Sequence, residues 1–374
     1  MRAISRREVL AGTLALALAT PARGDVEPSP APALKTLAAQ RGILYGSCAA
    51  YTQIAAEDDF TVLLARECGL IVPENEMKWA EMSPGAGLED FRRPDQMVDF
   101  ADAHGLHFRG HNMLWYWRTP SWFFELHDRK SSEQAILKRV DEMGRRYRGR
   151  IHSWDVVNEP LNPQDGRPDG LRKAVFLDAI GPDYLALAHH AARAADPAAR
   201  LVVNEYDVEY DTPEQDDKRL ASLHLIEAMK KAGTPVDAFG VQAHLSVDRL
   251  PFSARKLRRF LSEMADLEVA IQITELDVTD ENAPAATSER DRLVADQYAR
   301  FLEVALDEKA VKLLTCWGLS DRHSWIVRHE TNDQKWRRDG LASRPLPFDD
   351  ALMAKPAWAA IAEALKAAPP RDPG

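Results

Sequence analysis

Two carboxylates in this sequence stand where a carboxylate can do chemistry. Glu159 closes the run Ile151-His-Ser-Trp-Asp-Val-Val-Asn-Glu-Pro160, and Glu275 lies in Val269-Ala-Ile-Gln-Ile-Thr-Glu-Leu-Asp-Val278. Both runs have the apolar, β-branched character of strands buried on two faces. Pro160 withdraws the next backbone donor and stops the first of them, so Asn158 and Glu159 are expected to project past its end. The second delivers Thr274, Glu275 and Asp277 in the same way. A lone Asn-Glu at a strand end reads as the cap of a βα loop. Two such ends in one parallel barrel can instead face each other across its mouth. That pair suits cleavage of a glycosidic bond, with one carboxyl protonating the leaving oxygen and the other attacking or activating water.

Such a pair needs a scaffold that brings distant strands together at one edge. Strands read near 43–48, 70–73, 106–114, 151–157, 200–204, 238–242, 269–274 and 312–317. Helices read between them, for example over 54–67, 132–147, 183–195, 213–231, 254–265 and 291–307. Ser132 as an N-cap, Pro182 at a helix start, and Gly105 and Gly233 at helix ends supply the punctuation. Eight strands alternating with helices predict a (β/α)₈ TIM barrel, whose catalytic groups sit at the C-terminal strand edge. The barrel is expected to occupy residues 34–370 as one catalytic domain.

Ahead of it, Arg2 and Ser5-Arg6-Arg7 precede an apolar run from Val9 to Ala19. This predicts a signal peptide over 1–22, with the Arg pair favouring the twin-arginine type, cleaved after Ala19 or Ala22. Residues 23–33 read as a Pro-rich disordered spacer. The expected location is the periplasm or the outside of the cell, with no membrane association of the mature form, which is expected to be a monomer. The net charge is −10, from 48 basic and 58 acidic residues. Without a basic run carrying interleaved aromatics, nucleic acid is not an expected partner. Cys48, Cys68 and Cys316 are too few for a disulfide scaffold, and both a Cys48–Cys68 bridge and three buried thiols stay open. His107 and His111 have a spacing that would pair ligands on a helix. They fall in a strand, which sets them too far apart to share an ion, so no metal and no cofactor is expected.

Trp154–Glu159 and Ile273–Asp277 resemble the acid/base and nucleophile signatures of glycoside hydrolase family 10, the retaining endo-β-1,4-xylanases. The similarity runs from about Leu44 to Ile361 through several motifs in the family's order. The resemblance implies xylan or xylo-oligosaccharide as substrate, Glu159 as acid/base, and Glu275 as a nucleophile that forms a covalent glycosyl-enzyme. It further implies that Glu74, Asn75 and Lys78 bind the glycone, and that His111 and Trp115 belong to the subsite of the attacked sugar. By the same token Gln242 lies beside the acid/base, while His244 bonds to Glu275 and is oriented by Asp277. Asn158 suits the sugar 2-hydroxyl, and Tyr206 suits an aglycone ring. Trp317 and Trp325 suit a platform for the apolar face of xylose. Where many family members have His-Ser-Gln, this chain has Tyr116-Trp117-Arg118. Arg118 either reaches a carboxylate branch such as glucuronic acid or turns outward to an acidic neighbour. The outward case is expected, because it avoids desolvating a guanidinium against neutral sugars. Rival readings are a β-1,4-glucanase or aryl-xylosidase on the same barrel, or a non-catalytic sugar-binding protein. The last would be expected to lack one carboxylate, and both are present.

Overall fold

A computed structural model describes residues 31–247, 251–326 and 337–372. The signal segment and residues 23–30 of the spacer lie outside that range. Ten strands make one sheet: β1 (Leu44–Ala49), β2 (Leu70–Pro73), β3 (His107–Gly110), β4 (Leu114–Trp115), β5 (Ser153–Asn158), β6 (Arg200–Glu205), β7 (Ala238–Val241), β8 (His244–Ser246), β9 (Ala270–Thr279) and β10 (Val311–Cys316). The named ladders are parallel, and β10 pairs with both β9 and β1, which closes the sheet. β3 and β4 are two lengths of one stave, since both pair with β5, and β7 and β8 likewise both pair with β9. The result is an eight-staved (β/α)₈ barrel.

Side-chain alternation divides each stave between two environments. Outward residues such as Tyr45, Ile71, Phe108, Val156 and Val203 pack under the helices in the main core. Cys48, Leu70, Val72, Leu313 and Trp317 form a smaller separate cluster. The lumen also holds a polar layer. Arg109 Nε of β3 donates to Gln272 Oε1 of β9 at 3.2 Å, although these strands are not neighbours in the sheet. The bond therefore spans the barrel. Arg109 also grips Asp155 of β5 with both terminal nitrogens, which leaves neither buried charge alone.

Several element boundaries differ from the expectations. The helix expected from Ser132 runs over Arg129–Arg146 and is capped by Asp128, whose carboxylate accepts the Ser131 N–H at 2.9 Å. Ser132 spends its hydroxyl on the Asp128 carbonyl instead. The segment 54–67 is two helices, Tyr51–Ala56 and Asp58–Glu67, separated by Glu57 in an extended conformation. The expected strand 106–114 breaks at 111–113. β9 continues to Thr279, so Glu275 and Asp277 stand within a strand rather than past its end. Gly105 and Gly233 follow helices with φ of +64° and +72°. All three cysteines are buried and none is in a disulfide, so the open question of a Cys48–Cys68 bridge resolves to thiols.

Candidate active site

Glu159 and Glu275 meet at the C-terminal edge of the barrel, 8% and 5% exposed. Their backbones are set differently. Glu159 follows β5 at φ +57°, a left-handed conformation that side chains other than glycine seldom adopt. Its N–H stays in the ladder, donating to Asn204 O at 2.8 Å, while Arg172 Nε donates to its carbonyl at 2.9 Å. Glu275 lies within β9 where its register against β10 shifts, its N–H donating to Gln242 O at 3.0 Å.

Two carboxamides link the two carboxylates. Asn158 Nδ2 donates to Glu159 Oε1 at 3.2 Å, and Asn158 Oδ1 accepts from Asn204 Nδ2 at 2.8 Å. Asn204 Nδ2 also donates to Glu275 Oε1 at 2.8 Å. Thr274 Oγ1 fixes the flip of this amide by donating to Asn204 Oδ1 at 2.7 Å. Gly240 clears the space, because a Cβ there would lie 2.2 Å from Asn204 Oδ1. Gln242 Nε2 adds a second donor to Glu159 Oε1 at 3.1 Å.

On the other oxygen of Glu275, His244 Nε2 sits at 3.2 Å, and its Nδ1 lies 2.9 Å from Asp277 Oδ1. Trp325 Nε1 donates to Asp277 Oδ2 at 2.7 Å. With a carboxylate at each nitrogen, the imidazole satisfies both only as imidazolium. Burial by itself would raise the pKa of Glu275. The His244 bond, together with the electrostatic influence of His111, His244 and Arg109, outweighs burial and holds it at about 2. Glu275 is thereby kept anionic.

The remaining residues singled out in the sequence surround this pair. Glu74 and Lys78 are 5% and 7% exposed, so the 74–78 stretch is a packed site wall and not a solvated loop. Lys78 Nζ donates to Asn75 Oδ1 at 2.9 Å and stands 5.0 Å from the centre of the Trp115 ring. Burial lowers the Lys78 pKa, against the opposing pull of Glu74 and Glu275. His111 Nδ1 bonds to Asp155 at 2.8 Å and its ring meets Trp317 edge-on at 5.2 Å. Trp325 tilts against the His244 ring at 5.3 Å. Tyr206 Oη accepts from Arg172 at 2.8 Å, and Lys218 Nζ stands 4.1 Å from its ring centre. Arg118 turns to Glu81, 3.6 Å away, with both side chains part-exposed. His107 is exposed whereas His111 is buried. Among the described residues no group of three His, Cys, Asp or Glu side chains could hold a metal ion.

Reading the sequence assigned no role to Asn204, Thr274, Arg109, Asp155 or Arg172, although Thr274 was already placed at its strand. The first four occupy inward positions of strands, where a polar residue inside an apolar run is the available signal. Arg172 carries no such mark, because its role follows from how the loop after β5 folds back.

This constellation can be set beside known proteins. The sequence profile of glycosyl hydrolase family 10 matches residues 33–364. The chain belongs to that family. It is 36% identical over 268 residues to endo-1,4-beta-xylanase A of Fusarium oxysporum f. sp. lycopersici, covering 70% of this chain and 79% of the relative. It is 32% identical over 334 residues to endo-1,4-beta-xylanase A of Phanerodontia chrysosporium, covering 88% and 76%. Among solved structures, xylanase 10B of Thermotoga petrophila in complex with xylobiose superimposes with a TM-score of 0.79. That match has 27% identity and covers 89% of this chain and 97% of the other. Family membership and the two buried glutamates at the barrel mouth make this chain a glycoside hydrolase.

Proposed function

We propose that this family 10 enzyme is a retaining endo-1,4-β-xylanase in which Glu275 is the nucleophile and Glu159 the acid/base. One observation carries the division of labour: Glu275 is held as an anion by His244, while the side chain of Glu159 accepts hydrogen bonds from the neutral carboxamides of Asn158 and Gln242. Glu159 donates its proton to the leaving glycosidic oxygen as Glu275 attacks the anomeric carbon, giving a covalent xylosyl-enzyme. Glu159 then accepts a proton from the incoming water, which attacks the same carbon and releases Glu275. Asn158 has amide hydrogen to spare for the sugar 2-hydroxyl, a contact that strengthens in the transition state. Glu74, Asn75, Lys78, His111 and Trp115 bind the glycone, Trp317 and Trp325 bound the attacked sugar, and Tyr206 borders the aglycone.

The similarity to enzymes named for xylan, and to a structure holding xylobiose, supports the choice of substrate. Release of reducing ends from xylan and from carboxymethylcellulose by one purified sample tests it. Xylan is the expected substrate, and comparable or greater release from carboxymethylcellulose would overturn the assignment. The enzyme is further proposed to act as a monomer, as one catalytic domain over 34–370 behind a spacer at 23–33. Residues 1–22 would direct its export to the periplasm or beyond, a reading that rests on Arg6-Arg7 and the apolar run behind them. Replacing both arginines with lysine should leave the protein in the cytoplasm.

A further inference from the structure

Glu209 is a buried carboxylate that the chemistry above does not use. It lies four residues beyond the end of β6 and is 3% exposed. One of its oxygens accepts the Val208 N–H at 2.8 Å and the other accepts the Ala243 N–H at 3.0 Å. Ala243 stands between the two residues that reach the catalytic pair, Gln242 toward Glu159 and His244 toward Glu275.

The backbone explains why a side chain is needed here. The last ladder bond from this stave to β6 is Gln242 N to Glu205 O, at 2.8 Å. On the other side, the carbonyls of Gln242 and Ala243 still accept from Glu275 N at 3.0 Å and Asp277 N at 3.4 Å. The Ala243 N–H shares a peptide plane with the Gln242 carbonyl, which faces β9, and so points the opposite way, past the end of β6, while Ala243 itself has φ +62°. A buried N–H without a partner is costly, and Glu209 supplies the acceptor. The loop bearing Glu209 is fastened in turn. Arg219 donates to the carbonyls of Val208 and Tyr210, each at 2.8 Å, and Gln215 Oε1 accepts Tyr210 N at 2.6 Å. Tyr210 Oη accepts the Ser246 N–H at 2.8 Å, two residues beyond His244 in β8. Burial, and then the like charge of Asp207, push Glu209 up to about 7 against its backbone donors. A carboxylate kept in so unfavourable a place is spent on geometry.

We propose that Glu209 is a positioning residue for the hydrolysis, fixing the 242–244 turn through the Ala243 N–H and so setting the donors on Glu159 and Glu275 together. The inference rests on the roles proposed above for those two glutamates.

The test compares wild type, Glu209→Gln and Glu209→Asp. Glutamine keeps the size but offers one acceptor oxygen to two N–H groups. Aspartate keeps both acceptors with a shorter reach. Losing a hydrogen bond to a charged group corresponds to roughly ten- to hundredfold in kcat for Glu209→Gln. KM for xylohexaose should stay within about twofold, because the glycone wall lies on other strands. The acid limb of the kcat/KM profile should move to higher pH as the His244 bond to Glu275 loosens, and Glu209→Asp should restore part of both effects. Wild-type kcat and an unmoved acid limb in Glu209→Gln, with only the melting temperature lowered, would overturn the inference. So would failure of both variants to fold, which would make Glu209 a requirement of the barrel itself. If wild type did not cleave xylan, the parent assignment would fall instead, so the two failures are distinguishable.

Discussion

The surroundings of Glu275 and Glu159 differ more than the side chains do. Glu275 sits inside β9, near Thr274, which orients Asn204, and Asp277, which orients His244. Glu159 stands past the end of β5 in a left-handed conformation, tied down by Arg172 through its carbonyl. An imidazole and one amide serve Glu275, and two amides serve Glu159. Placement on a continuous strand gives a nucleophile a fixed line of attack. Placement at a strand end, with neutral donors, leaves the other carboxylate able to hold a proton and then give it up. Position in the ladder and the charge of the donors thus separate two identical side chains into two roles.

The sharpest break in this comparison is removal of the nucleophile. Glu275→Ala should lower kcat by roughly 10⁴–10⁶-fold on xylan and on aryl xylobiosides alike, because no leaving group compensates for a missing attacking atom. Steady-state rates across a series of leaving groups check this, and a loss that shrinks with better leaving groups would reverse the roles. Glu159→Ala should cost about 10²–10⁴-fold on xylan. With a dinitrophenyl leaving group, its first step should run near the wild-type rate and show a burst.

The next effect concerns the donors. His244→Ala removes the second-ranked influence on Glu275 and the largest that lowers its pKa, so the acid limb of kcat/KM should move up in pH. The same group makes a stability prediction. Glu275 is about 2 in the fold against an ordinary 4.5. Its contribution is therefore fully present above pH 4.5 and fades as pH falls toward 2, where the unfolded chain binds the proton first. Denaturant midpoints measured between pH 6 and 2.5 should fall less steeply in Glu275→Gln than in wild type.

The smallest effect is expected at Arg118, which pairs with Glu81 where solvent screens both. Exposed pairs contribute about 0–1 kcal/mol. Arg118→Gln should leave the ratio of glucuronoxylan to unbranched xylan activity unchanged. A ratio that falls sharply in the variant, and only at low salt, would place Arg118 in the cleft.

The barrel was legible because its strands announce themselves twice, by β-branched runs and by the polar residues that close them. Glu159 could be placed at a strand end for that reason, Glu275 and Asp277 could be placed on their strand though they lie inside it, and Gln242 and His244 followed from the family resemblance. The turn at 242–244 was not legible, since nothing in Gln-Ala-His signals that an alanine will adopt positive φ and need a carboxylate from another loop. Asn204 was visible as a strand-end residue. Its bridging role needed the register of β5, β6 and β7, which aligns Asn158, Asn204 and Gly240 across three staves. Arg109 and Asp155 were hidden for a related reason. Inside a run such as Trp-Asp-Val-Val, a single Asp does not reveal that a guanidinium on the neighbouring stave will grip it.

The central claim is that the two glutamates act in sequence through a covalent intermediate on Glu275. Azide added to Glu159→Ala turning over dinitrophenyl β-xylobioside tests it most directly. The account predicts that azide accelerates turnover and that the product is the β-xylobiosyl azide, formed by attack on the intermediate from the side vacated by Glu159. Glu275→Ala under the same conditions should yield none of the β-azide. A β-azide from Glu275→Ala, or an α-azide from Glu159→Ala, would contradict the assignment.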